Sequence, residues 1–231
     1  MKIDMHTHCL PISRCAHHQP EEITEMFLKK GVNAIVLTNH CYPAHLTPLS
    51  ENLETQADIY LETYRRCKKA GENIGITVIF GVELKLINEP HAPEFLLYGI
   101  SEEEFKNSFP LYNKTQQELF DYCNQKDILM VQAHPFREEQ GYAPADMHYL
   151  HGIEIYNAHP YFDCGLKKTL SLTDQYNLLK TVGTDFHIEM QAGLVWADIP
   201  DDIKDQFALR DYLKNGKIQI SDNNGIIYSN L

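Results

Sequence analysis

Two histidines two residues apart, His6 and His8 in "MKIDMHTHCL", stand at the end of the first apolar run of the chain. If that run is a β-strand, a spacing of two sends both rings to one face. The pair then offers two nitrogen donors to a metal ion, although a single H-x-H serves equally well as a hydrogen-bonded strand end. The rest of the chain repeats the pattern. His40 in "LTNH", Glu83 in "GVEL", His134 in "AHPFR", Glu154 in "GIEIYN", and Asp185 with His187 in "GTDFH" fall in, at or just past the ends of β-branched runs. Grouped carboxylates and imidazoles repel one another or are poorly solvated unless cations lie between them. The chemistry that fits is a polynuclear metal site.

The elements that must position these residues alternate. Short strand-like runs ("KIDM", "NAIVLTNH", "ITVIFGVELKL", "EFLLYGI", "ILMVQAHP", "GIEIYN", "LKTVGTDFH") are separated by amphipathic helical stretches. This is the pattern of an α/β fold with a parallel sheet. The helix in "QPEEITEMFLKKG" has Pro20 at its first position, acids in its first turn, lysines in its last and Gly31 as its stop. A second helix covers residues 51–70 and ends near Gly71, another covers 166–176, and a last one runs from about 201 to 214 before "IQI". In a parallel barrel the C-terminal strand ends converge on one face, which gathers the candidate ligands.

Length and charge set the remaining bounds. A chain of 231 residues with 43% hydrophobic content is expected to form one domain over 1–231, without linker or repeat. The formal charge of -12 argues against nucleic acid and anionic membrane as partners and favours a small substrate. No bilayer-spanning run or signal-peptide pattern is present, and the six cysteines form no C-x-x-C pair. The expectation is a cytoplasmic protein with reduced thiols, whose oligomeric state the sequence leaves open.

"DMHTH", "LTNH", "GVEL", "AHPFR" and "GTDFH", in that order, resemble the motifs of the PHP (polymerase and histidinol phosphatase) family, over residues 1 to about 200. The resemblance implies a distorted (β/α)7, TIM-like barrel holding two or three divalent ions of zinc, manganese or iron. It implies His6, His8, His40, His134, Asp185 and His187 as ligands, with Glu83 bridging two ions. Glu94 stands where many members have a histidine, so it is expected as a harder ligand, with His91 as its substitute. Asn39 replaces the usual acidic residue of the second motif. Counting back from His40 places a further ligand at Cys15. Chemistry favours His17 instead, because imidazole serves all three metals, and a two-ion site using neither is the third possibility.

Other residues take supporting roles. Arg137 is expected to clamp phosphate with two hydrogen bonds, and Arg14 has the same claim more weakly. Glu154 and Asp4 are expected to orient ligand histidines, His159 to protonate a leaving alkoxide or cap a loop, and Asp185 or His187 to relay a proton. The expected function is a metal-dependent phosphoesterase acting on a small phosphorylated substrate with a metal-activated hydroxide. The alternatives are a C–N bond hydrolase of amidohydrolase type using the same site, and a non-enzymatic PHP binding module.

Overall fold

A computed structural model describes residues 1–137 and 141–231. Helix α1 (Pro20–Lys29) starts at the proline, and the Glu22 carboxylate accepts the Gln19 N–H at 2.6 Å in a capping box. After α2 (Pro43–Leu46), the Asn52 side chain caps α3 (Leu53–Ile74). This helix passes the expected stop at Gly71 and ends at Gly75, whose φ of +85° turns the chain. Gly71 serves close packing instead: a Cβ there would lie 2.7 Å from the Ile76 carbonyl oxygen. The remaining helices are α4 (Glu102–Ser108), α5 (Gln116–Lys126), α6 (Leu166–Tyr176) and α7 (Gln206–Lys214). The last starts later than the sequence predicts, because the Asp205 carboxylate accepts the N–H groups of Phe207 and Ala208 and fixes the first turn there.

The strands are β1 (Lys2–Thr7), β2 (Ala34–Leu37), β3 (His40–Cys41), β4 (Thr77–Lys85), β5 (Glu94–Tyr98), β6 (Leu129–Gln132), β7 (Gly152–Asn157), β8 (Leu179–Gly183), β9 (Val195–Asp198), β10 (Gln219–Asp222) and β11 (Gly225–Ser229). Among the described residues they form one curled sheet in the order β11-β10-β9-β1-β2-β4-β5-β6-β7-β8, with β3 paired to β4. The sheet curls until β8 meets β1. Thr7 and Phe186 pair as a parallel bridge, the Phe186 N–H donates to the His6 carbonyl at 3.2 Å, and the His8 N–H donates to the Phe186 carbonyl at 3.0 Å.

The fold is thus a mixed α/β barrel-like sheet, less regular than seven parallel βα units. β1, β2 and β4 are parallel, as are β6, β7 and β8, but β5 runs antiparallel to both β4 and β6. The reversal has a consequence for the site: Glu94, the first residue of β5, lies opposite Lys85, the last of β4, at the rim where the other strands end. β9, β10 and β11 extend the sheet by antiparallel pairing beyond β1.

One apolar cluster, with Phe27, Tyr60, Tyr64, Phe80 and Phe105, packs strands against α1, α3 and α4. The other joins Ile3, Met5, Ile79, Leu96 and Val182 to Leu209 and Leu213 of α7. Arg210 and Lys214 of α7 pair with Asp127, just before β6, so this helix seals the end of the strands opposite the candidate ligands. Among the described residues no helix is long and apolar enough to cross a membrane.

Candidate metal centre

Glu83 near the end of β4 is fully buried at the centre of the site and divides its two oxygens between neighbours. Oε1 lies 3.1 Å from His6 Nε2 and 3.2 Å from His134 Nε2, whereas Oε2 lies 2.5 Å from His40 Nδ1 and 3.6 Å from His8 Nε2. Asp185, just after β8, brings Oδ1 to 3.1 Å from His8 Nε2 and 3.4 Å from His6 Nε2. Among the described residues, groups of converging donors include His6, Glu83 and His134; His6, His8 and Asp185; and His8, His40 and His187. Within each group the donor atoms lie within 4.8 Å of one another.

These atoms fit cations better than they fit one another. His6 Nε2, His8 Nε2, Glu83 Oε2 and Asp185 Oδ1 are buried without a well-formed hydrogen bond and face other candidate donors, an arrangement that a cation between them would stabilise. Burial opposes charge on Glu83, yet His6 and His40 hold its carboxyl well below the usual range. Burial likewise opposes charge on Asp185, and Arg137, His6 and His187 hold it low. Both carboxylates stay ionised. Nitrogen and carboxylate donors of this kind suit zinc, manganese or iron.

The candidate ligands are held from behind. Glu154 Oε1 lies 2.9 Å from His6 Nδ1, and its other oxygen accepts the His134 N–H at 3.0 Å and the Asn157 side-chain amide at 2.8 Å. Asp4 does not touch a ligand ring, contrary to expectation: its carboxylate accepts the His6 and Thr184 N–H groups and the Thr184 hydroxyl, bracing β1 against β8. Asn39 accepts the Cys9 N–H and the Ser13 hydroxyl, and Ser13 Oγ lies 3.0 Å from His8 Nδ1. Gln191, which sequence reasoning missed, accepts the His187 N–H and donates to the carbonyls of Thr184 and Asp185. It is a polar residue four positions past a ligand, and nothing in its surroundings in the sequence marks it. Gly183 was missed too: a Cβ there would lie 2.2 Å from His6 Cβ. His134 and Asp185 have φ of +28° and +52°, a strained backbone that places their side chains at the cluster.

On the outer side, His187 Nε2 lies 3.4 Å from His40 Nε2. The loop after β1 brings Cys15 to the mouth of the same cavity as these two rings, with its thiol within 4.8 Å of a His40 ring nitrogen. Partial burial opposes ionisation of that thiol, and His187 and His40 outweigh burial and hold it down to about 6. Cys15, His40 and His45 also form a group of converging donors, although His45 Nδ1 already accepts the Arg14 N–H at 3.0 Å. His17, the imidazole favoured from sequence, is exposed and belongs to none of these groups among the described residues. The tight turns between Ser13 and Ala16 present Cys15 to the rings instead, and the His17 backbone N–H is spent on the His187 carbonyl.

A cavity of about 370 Å³ opens above the cluster, with His40, His134, Asp185 and His187 in its floor and Arg137, Tyr42, Tyr142 and His159 among its walls. Arg137 is buried, and its guanidinium binds Asp185 Oδ2 at 2.6 Å and Asn157 Oδ1 at 2.5 Å over the face of Phe162. It is therefore locked to a candidate ligand while lining the cavity. Glu94 Oε2 lies 3.4 Å from His134 Nε2, but Oε1 pairs with Lys85 Nζ at 3.1 Å, and Lys85 also reaches the Tyr142 hydroxyl. His91, its expected substitute, is exposed on the preceding turn, beside Glu89 and Pro90. Burial and the neighbouring Arg137 push the His159 ring down to about 4. It is neutral at pH 7, so it suits hydrogen bonding to a substrate better than delivery of a proton from an imidazolium.

Comparisons with known proteins bear on the fold and the family. A comparison with curated proteins found no match. Among solved structures, the chain resembles a two-domain protein containing a predicted PHP-like metal-dependent phosphoesterase from Bacteroides vulgatus, with a TM-score of 0.71 at 20% identity. The likeness covers 98% of this chain and 66% of that one, so this chain spans just under two thirds of that protein. PsfC from Pseudomonas syringae matches with a TM-score of 0.62 at 18% identity, over 92% of this chain and 87% of that one. An amidohydrolase from Chromobacterium violaceum, with bound sulfate and no metal, matches with a TM-score of 0.57 at 14% identity, over 94% and 97%. These similarities speak for the shared fold. The model of the PHP domain matches residues 4–139, more than half of the sequence, and this chain belongs to the PHP domain family.

Proposed function

We propose that this protein is a metal-dependent hydrolase and that its substrate is a small phosphate monoester. The observation that carries the reading is the convergence of donors at the cavity: His40, His134, Asp185 and His187 line it beside the buried Arg137 guanidinium, and Glu83 behind them reaches His6 and His134 with one oxygen and His8 and His40 with the other. Divalent ions bound there supply Lewis acidity and a water acidified enough to attack at neutral pH.

The chain itself does the positioning. Arg137, fixed by Asp185 and Asn157, presents its remaining N–H groups along the cavity wall, a fork that matches phosphoryl oxygens. Asp185 or His187, both lining the cavity, would relay the proton that the attacking water releases. Neutral His159 and the hydroxyls of Tyr42 and Tyr142 line the wall for the leaving group. The cavity volume suits a small molecule rather than a polymer. All six cysteines are unpaired, which supports a reducing, cytoplasmic setting.

A panel of small phosphate esters and amides, assayed with added manganese, zinc or iron, tests the proposal. Turnover of esters and not amides, abolished by chelator, is the expected result. Turnover of amides alone would instead make this a C–N hydrolase, because the same ions polarise a carbonyl. Binding without turnover of any member would leave a binding module.

A further inference from the structure

We propose that Cys15 is a thiolate ligand of the outer ion, between His40 and His187, and that it makes this one position selective for zinc over manganese. The proposal rests on the metal-centre reading above and concerns which ion the outer position takes.

The geometry starts with the two rings. His187 Nδ1 lies 2.7 Å from the Asp185 carbonyl, an oxygen that only accepts, so the ring proton sits on Nδ1 and Nε2 carries a lone pair. His40 Nδ1 lies 2.5 Å from a Glu83 carboxylate oxygen, which favours a proton on that nitrogen as well. A neutral His40 therefore also presents a lone pair at Nε2. The two Nε2 atoms face each other at 3.4 Å, a separation bridged either by a proton that one ring carries or by a cation that both rings share, and the cation would replace that proton. The third donor at this point is sulfur: Cys15 Sγ lies within 4.8 Å of a His40 ring nitrogen, in a group that His45 completes, and Cys15 lines the same cavity mouth as His40 and His187.

Sulfur changes which ion is held. A thiolate with two imidazoles is a soft donor set that suits tetrahedral zinc and leaves its fourth position open. Manganese prefers oxygen donors, which the inner groups supply through Glu83 and Asp185. The centre is thus graded, with a carboxylate beside two imidazoles at each inner position and a sulfur-bearing position at the mouth. Cys15 is exposed there, whereas Cys9, Cys41, Cys67 and Cys123 are buried and Cys164 is half-buried. A reagent that modifies thiols therefore reports on this position directly.

The experiment is alkylation of the metal-stripped protein by iodoacetamide, with Cys15 read by peptide mass mapping, in the absence of metal and with zinc or manganese added. Zinc should slow alkylation of Cys15 by about tenfold or more while manganese does not. Cobalt should give thiolate-to-metal charge-transfer absorption that Cys15→Ser lacks, and Cys15→Ser should bind one zinc fewer with an unchanged circular dichroism spectrum. Cys15→His should regain that ion without the absorption. Alkylation unaffected by zinc in a protein that nevertheless binds two or more ions would overturn the proposal and leave the metal centre standing. Equal protection by manganese would overturn the selectivity. Binding of no ion at all would overturn both.

Discussion

Glu154 Oε1 stands 2.9 Å from Nδ1 of His6, both fully buried, so the carboxylate fixes the ring with Nε2 turned to Glu83 and Asp185. Burial pulls the His6 imidazole down, and Glu154, Asp185 and Glu83 raise it well above its ordinary value. An ion bound at Nε2 would take the place of that second proton.

Replacing Glu154 by alanine is therefore expected to weaken metal binding without removing a donor. Loss of such an orienting partner lowers affinity by about 10- to 100-fold. Competition for zinc against a chelator of known affinity, on wild-type and Glu154→Ala protein, measures it. Equal affinity would show that packing alone orients His6.

Arg137 has a different expected signature. Arg137→Gln keeps a hydrogen-bonding group near Asp185 and Asn157 but removes the charge, so the KM for a phosphate ester should rise about tenfold or more with a smaller change in kcat. Steady-state kinetics at fixed metal content decide it. A collapse of metal content instead would show that the ion pair with Asp185 serves the centre rather than the substrate.

Much of this candidate site was legible in the sequence because its candidate ligands sit at strand ends, where hydrophobic periodicity stops and a polar residue stands out. "DMHTH", "LTNH", "GVEL", "AHPFR" and "GTDFH" each mark such an end, and the structure gathers their His, Glu and Asp side chains at one rim. Loop geometry was not legible. The choice between Cys15 and His17 depends on turns that leave no periodic trace, and the expectation of His17 rested on donor chemistry alone. The antiparallel course of β5 was equally hidden, because a short buried strand reads the same in either direction, and with it the pairing of Glu94 with Lys85. Close approach was hidden too: Gly183 is indispensable only because β8 passes against His6 of β1, far away in sequence.

A pH effect on stability is expected far from the site. His151 accepts the Met130 N–H at Nδ1, and its Nε2 faces the Asn124 side-chain oxygen, so the folded chain holds a neutral ring. Burial, aided by Lys214, lowers it to about 4. Between the ordinary value of 6.5 and about 4 the unfolded chain binds a proton that the folded chain refuses. Stability from this group is complete above 6.5 and is lost as pH falls through that window. His151→Gln should flatten the fall, by on the order of 1–2 kcal/mol at pH 4 relative to pH 7. Denaturant unfolding of the metal-stripped proteins at both pH values measures it, and parallel pH profiles would contradict it.

The most direct measurement is elemental analysis of the protein purified without chelators, beside Glu83→Gln. Glu83 faces four imidazoles through its two oxygens, so the wild type should carry at least two transition-metal ions per chain and the variant fewer, with nearly all turnover lost. Less than about one ion per chain in the wild type, with none regained on reconstitution, would contradict the metal centre.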